Sequence, residues 1–375
     1  MKKSLLFAAL AVVAMASCTK NELKVPSTGS DAVLSFQPVV ANATKAGYLI
    51  TDNMKTACTS FGVFAWYGEP DLAASGSAAT AYMDNVIVTY DAGIDETGSK
   101  GSGAWVPDPA SPYYWPKNGT LSFDAYAPAS AHAETPSAGT GKVTSTAANG
   151  LKIENYTVAA LANQYDLLYS TRTQDKVTST GGSNDTYDGV DIAFHHALAA
   201  IEVTAKTDKK YSDAIKLKTI TILNAYSTGT FNQNMTNATT EGTAAWSDHG
   251  TEESYVLFNN ASGVALNETA LTSATTPNKI NNAILLPQSF NHDPNKVSIR
   301  VDYTIKHGTK ELAQYYIVDL STTYGHEGSN PSAQLSAWEM GKRYTYNFIF
   351  SLDEVYFAPK VDEWTGVTVK DIDVK

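Results

Sequence analysis

"SPYYWPKNGTLSFDAYAP", residues 111–128, sets five aromatic side chains between prolines. Tyr113, Tyr114, Trp115, Phe123 and Tyr126 fit two arrangements. They could form a flat platform for a sugar ring, or they could belong to a β-strand turned into a core. Alternation separates the two. Successive side chains of a strand point to opposite faces, so Leu121, Phe123 and Ala125 share one side and Ser122, Asp124 and Tyr126 the other. The first set is a core face. Trp115 and Pro116 lead into this strand and Pro128 ends it. Core packing is the favoured reading, and the sugar platform stands as the alternative.

The same period runs along the chain. "VSIRVDYTI" (297–305) puts Val297, Ile299, Val301, Tyr303 and Ile305 on one face, and "YTYNFIFSL" (344–352) does so with Tyr344, Tyr346, Phe348, Phe350 and Leu352. "FGVFAWY" (61–67), "YDLLYS" (165–170) and "IEVTA" (201–205) are further strands between Gly, Ser, Thr, Asn and Pro clusters. This is the patterning of all-β sandwiches. Helical periodicity is weak and predicts only short helices, one near 157–164. Strands that never alternate with helices exclude a doubly wound or barrel enzyme fold. The polar, glycine-bearing run "TRTQDKVTSTGGSNDTYDGV" (171–190) is the best linker, placing a domain boundary near Gly189. A chain of 375 residues, 43% of them hydrophobic, is long enough for two such domains.

The N-terminal residues read as an export signal over 1–17. Lys2 and Lys3 precede an apolar run, Leu5 to Met15, too short to span a bilayer. The run closes on "MASC", which resembles the bacterial lipobox, with Met15 where leucine is commoner. Cys18 is the expected lipidation site, and several acyl chains would hold the protein on the outer membrane. The other cysteine, Cys58, then has no partner for a disulfide and is expected as a buried, inert thiol.

Net charge is −11, and −13 once Lys2 and Lys3 leave with the signal (−11 − 2). The three arginines are Arg172, Arg300 and Arg343, and no basic stripe exists, which argues against nucleic acid as a partner. Searches for chemistry fail one by one. "SAGTGKVTS" (137–145) mimics a phosphate loop, but Pro136 stands at its first glycine and Val143 at its Ser/Thr position. His195 and His196 are adjacent in a strand, so they point to opposite faces, one buried and one solvated. The remaining histidines lack ligand spacing, and pairs such as Asp353–Glu354 and Asp362–Glu363 sit at strand ends. No catalytic residues, metal site or cofactor are expected, and the chain reads as a non-enzyme.

An ordered set of motifs carries a family resemblance. "FGVFAWY", "YYWPKNGTLSFDAYAP", "YDLLYS", "FHHALAAIEV" (194–203), "NAILLPQ" (282–288), "WEMGKRYTYNFIF" (338–350) and "FAPKVDEW" (357–364) follow one another. With the lipobox, this resembles the fimbrillin family of Bacteroidetes, subunits of type V pili. The resemblance implies two tandem transthyretin-like β-sandwiches, over 46–189 and 190–375, after a propeptide at 18–45. It implies a removable first strand in "DAVLSFQPVV" (31–40), with Ala32, Leu34 and Phe36 inward. It also implies a cut between Lys45 and Ala46, where the family pattern has arginine. A donor strand is implied at 366–375, carrying Val367 and Val369 and, after a parity switch at Asp371, Ile372 and Val374. The implied function is a pilin, stalk or tip, that leaves the outer membrane for a surface fimbrium supporting adhesion. Other pilin subunits are its partners, with a host or glycan ligand beyond them. The alternatives are a lipid-anchored glycan-binding protein, with Tyr113, Tyr114, Trp115 and Trp105 exposed, and an uncut pilus anchor.

Overall fold

A computed structural model describes residues 34–40, 49–69, 71–75, 79–93, 103–108, 110–116, 118–176, 189–237, 239–292, 294–327, 330–351 and 355–363. The chain is all-β. Its helical turns are short, among them Met54–Cys58, Leu72–Ser75 and Leu161–Asn163, the last where a short helix is expected. Runs rich in β-branched and aromatic residues become strands because those side chains pack well on a pleated surface.

The first body uses β1 (Phe36–Val40), β2 (Ser60–Gly68), β3 (Thr80–Asp91), β4 (Ala104–Pro107) and β5 (Thr120–Ala127). The chain then leaves for β6 (Lys142–Thr146) and β7 (Gly150–Thr157), and returns as β8 (Leu168–Ser170), β9 (Thr173–Lys176) and β10 (Val190–His196). Strand order is β2-β3-β4-β1-β10-β8-β5-β9, and β2 also pairs with β5, so the hydrogen bonding closes on itself. Inside lie Leu34, Phe36, Phe61, Val63, Trp105, Trp115, Phe123 and Phe194 among others.

The second body continues with β11 (Ala199–Thr207), β12 (Ile215–Asn232), β13 (Met235–Asn237), β14 (Thr240–Glu241), β15 (Ala245–Ala265), β16 (Ala283–Leu285) and β17 (Gln288–Ser289). It ends with β18 (Ser298–His307), β19 (Lys310–Asp319), β20 (Tyr324–Glu327), β21 (Asn330–Gln334), β22 (Ala337–Trp338), β23 (Lys342–Phe350) and β24 (Val355–Glu363). One sheet runs β16-β11-β23-β24-β20-β21 and the other β19-β18-β12-β7-β6, with β15 beside β12. They share one core. Val203, Tyr344, Tyr346 and Phe348 meet Leu217, Ile220, Ile299 and Val301 there, and Tyr303 packs edge-on against Phe350 at 5.1 Å. The faces read from "VSIRVDYTI" and "YTYNFIFSL" are these core faces; Leu352 lies outside the described residues.

The expected limit at Gly189 falls inside the pairing of the first body, since β10 pairs in parallel with β1. In the other direction, β7 pairs with β12 of the second body. The chain therefore crosses between the bodies three times. Where they meet, β5 is buried on both faces. Its second face carries Ser122, Asp124 and Tyr126, and the Asp124 carboxylate and the Tyr126 hydroxyl there are satisfied by protein partners. Asp124 accepts from Arg172 Nε at 2.9 Å and Nη2 at 2.5 Å, and from Ser145 Oγ at 2.7 Å. Arg172 Nη1 donates to Ala147 O at 2.6 Å, and the Arg172 backbone N–H donates to Glu241. Both members of the pair are buried. Tyr126 belongs to the second core, not to the face of Phe123, and donates to Asn85 Oδ1 at 2.7 Å. Directly opposite stands Gly62, where a Cβ would lie 2.2 Å from the Tyr126 ring, so only glycine lets the ring lie flat on β2.

Candidate functional site

The distinctive element of the first body is β1. It is five residues long, yet it closes the ring of strands between β4 and β10. Toward β10 the pairing is parallel and complete, from Phe36↔Val190 to Val40↔Phe194. Val190 N donates to Ser35 O at 2.8 Å, so odd-numbered residues direct their main-chain groups toward β10 and even-numbered ones toward β4. On the β4 side, among the described residues, only Phe36↔Trp105 pairs, aided by Leu34 N donating to Tyr113 O at 2.7 Å. Pro38, an even residue, has no N–H to give that side. Among the described residues β1 is zipped on one side and barely stitched on the other.

Side chains fill what the ladder leaves. Leu34, Phe36 and Val40 are buried. The Phe36 ring meets Phe61 edge-on at 6.0 Å and Phe123 at 5.7 Å, and Phe123 meets Trp115 at 6.0 Å. Each buried apolar side chain of this size contributes about 1.5–3 kcal/mol. Gly189, with φ +101, lies against the Phe36 backbone, where a Cβ would sit 3.0 Å from Phe36 C. The strand slot is therefore shaped by a glycine as well as by the core.

Immediately past 41–48, the chain is held again. Leu49 N donates to Asp166 Oδ2 at 3.1 Å, and the same oxygen meets His196 Nδ1 at 2.8 Å, all of it buried. Thr51 Oγ1 reaches back to accept from Val40 N at 2.9 Å. Val40 is thus held in the slot and Leu49 by a buried carboxylate, and the bond from Val40 to Thr51 joins the two.

Of the residues singled out in sequence, Leu34 and Phe36 are buried in the first core. Cys18, Ala32, Lys45, Ala46, Val367, Val369, Ile372 and Val374 lie outside the described residues. Sequence reading missed Pro38, Gly189, Asp166 and His196. Pro38 and the glycine were visible as a strand proline and a linker glycine, whereas nothing local marked Asp166 as a long-range partner of Leu49. Of the alternative aromatic platform, Trp105 and Trp115 are buried, each 4% exposed, while Tyr113 and Tyr114 are half-buried, so these four rings form no exposed platform. Tyr82 Oη donates to Tyr114 O and its ring meets Tyr113 at 5.9 Å. His196 is the buried histidine of the adjacent pair, and His195 is half-buried against Tyr169 at 5.6 Å. Burial pushes the Cys58 thiol up to about 11, which keeps it protonated and unreactive. Among the described residues no group of His, Cys, Asp and Glu could hold a metal, and no helix is long and apolar enough to cross a membrane.

Fold and site together define a class: an all-β protein of two cores, whose first sheet closes over a short inserted strand. The chain belongs to the fimbrillin-like family, whose model matches residues 44–370. Among solved structures it is similar to a fimbrial protein from Bacteroides vulgatus ATCC 8482, at 16% identity and a TM-score of 0.56, covering 88% of this chain and all of that one. It is also similar to a fimbrilin from Porphyromonas gingivalis W83, at 12% identity and a TM-score of 0.44, covering 91% and 99%. No curated protein matches.

Proposed function

We propose that the chain is a structural pilin of a surface fimbrium, stalk or tip, that assembles by exchanging β1 for a strand of a neighbouring subunit. Family membership supports the pilin reading, and the one-sided stitching of β1 supports the exchange. Cys18 carries lipid and holds the precursor on the outer membrane until a protease cuts after Lys45. Release of β1 then uncovers unpaired N–H and C=O groups beside open core, a costly surface that captures a replacement strand. The segment 366–375 is the donor, with Val367 and Val369 entering pockets left by residues such as Leu34 and Phe36, and Ile372 and Val374 continuing beyond the switch. This is strand addition, in which main-chain bonds give affinity and alternate side chains give register. The donor segment contains no proline, so it offers an N–H at every position, including the one where β1 has Pro38. The chain has no catalytic role or cofactor in this reading, and adhesion to a host or glycan ligand belongs to the assembled fimbrium.

The decisive experiment compares two proteins. Protein starting at Ala46 should form ladders that survive mild denaturant, while protein starting at Cys18 stays monomeric. Changing Val367 and Val369 to Asp should abolish the ladder without unfolding the monomer, because a carboxylate in an apolar pocket has no partner. A ladder of unchanged strength removes this tail as donor, and monomers from both proteins overturn the exchange. Intact mass of surface-shed protein reads the N-terminus directly, and loss of fatty-acid labelling in Cys18→Ala checks the anchor.

A further inference from the structure

We propose that the open edge of β19 is a self-association site, where two copies pair antiparallel and join their sheets. Beta19 pairs with β18 alone among the described residues, and it ends its sheet. Its register runs unbroken from His307↔Lys310 to Ser298↔Asp319, without a bulge. Edges of natural sheets are ordinarily blunted by lysines, prolines, bulges or inward charges. Here the stretch from Leu312 to Val318 contains no charge, proline or glycine. It is also where exposed apolar surface gathers. Leu312 is 50% exposed, Tyr315 62%, Tyr316 37% and Ile317 46%, four of the seven large exposed hydrophobics among the described residues.

Charge identifies the occupant as a second copy. Glu311 is held by Lys216, and Asp319 by Lys296 at 3.1 Å, so each carboxylate has a counter-charge on its own chain and an identical edge can approach, provided the two carboxylates are not set directly opposite each other. Lys310 opens the strand and Asp319 closes it, so an antiparallel copy brings opposite signs toward each end, whereas a parallel copy sets like beside like. Faces then fix the register. Residues directly opposite in an antiparallel pair share a face, and the even residues Leu312, Gln314, Tyr316 and Val318 share the face of Ile305, Tyr303, Val301 and Ile299. A two-fold axis at Gln314 sets Leu312 against Tyr316 on that face and small Ala313 against large Tyr315 on the other. An axis one residue on, at Tyr315, sets Glu311 against Asp319, two carboxylates face to face. Gln314 avoids that pairing and is the centre of the proposed register. The site is on a different sheet from β1, and the pairing does not depend on strand removal.

The test uses the full chain carrying Cys18→Ser, with β1 in place. Sedimentation equilibrium should show a reversible dimer, and the double change Leu312→Lys with Tyr316→Lys should return it to monomer at an unchanged melting temperature. A wild-type edge that stays monomeric up to the solubility limit overturns the proposal, as does a dimer indifferent to both lysines. A second measurement does not depend on the folding of that variant. Gln314→Cys places two thiols across the axis, within the 4.4–6.8 Å Cα separation a disulfide spans, and buried Cys58 does not compete. Mild oxidation should cross-link Gln314→Cys at least tenfold faster than Glu311→Cys, whose partner position is Ile317. Equal rates, or faster linking at position 311, overturn the register.

Discussion

Beta1 and β19 are both strands at the margin of what their sheets hold, and they are built in opposite ways. Beta1 is short, carries a proline, and is buried among Phe61, Phe123 and Trp105, with neighbours on both sides. Beta19 is twice as long, perfectly registered on one side, and open on the other. In β1 the side chains do most of the holding and the ladder is incomplete. In β19 the ladder is complete on one side and the side chains are left outside. A strand of the first kind is costly to remove and leaves a shaped slot; a strand of the second kind adds a neighbour without disturbing its own core.

The comparison can be broken most severely from the buried side. Phe36→Ala should cost about 3–5 kcal/mol, as truncating a core aromatic does, read as the shift of a urea midpoint in the uncut protein. Phe123→Ala should cost a similar amount; unchanged stability with lost affinity for a polysaccharide would restore the platform reading. Asp124→Ala should also cost about 3–5 kcal/mol, since it leaves the Arg172 guanidinium buried without its carboxylate.

Gly189→Ala is a finer probe of the slot. A side chain at φ +101 is strained and presses on Phe36, for a cost of about 1–2 kcal/mol, and limited proteolysis should find β1 released faster. On the open side, Leu312→Ala and Tyr315→Ala should move monomer stability by no more than about 0.5 kcal/mol, measured below the concentration at which copies associate. A loss as large as that of Phe36→Ala would mean that β19 is covered within its own chain.

The smallest effect is a pH dependence in β10, the neighbour of β1. Burial holds the His195 imidazole below its ordinary value of 6.5. The unfolded chain then binds the proton more readily than the folded one. Stability from this residue is present above pH 6.5 and lost as the pH falls through the lowered value. His195→Gln should flatten that limb of a melting-temperature profile, and an unchanged profile would place the titration elsewhere.

The sequence by itself determined that the chain is β throughout and which face of Ser298–His307 and of Lys342–Phe350 is core. These follow from a period of two, which a strand imposes on its own residues whatever it packs against. The ordered motifs added the family. Pairing between distant strands, by contrast, was decided only by the tertiary structure. Nothing near Leu49 announces that Asp166 holds it, because that contact spans 117 residues. Nothing in Ser122, Asp124 and Tyr126 distinguishes a solvated polar face from one buried against a second body. A charge is tolerated in that interior only with a partner, and Arg172, which looked like a linker residue, is that partner. Period reports which side of a strand is apolar, while the fate of its polar side depends on what the rest of the chain brings to it.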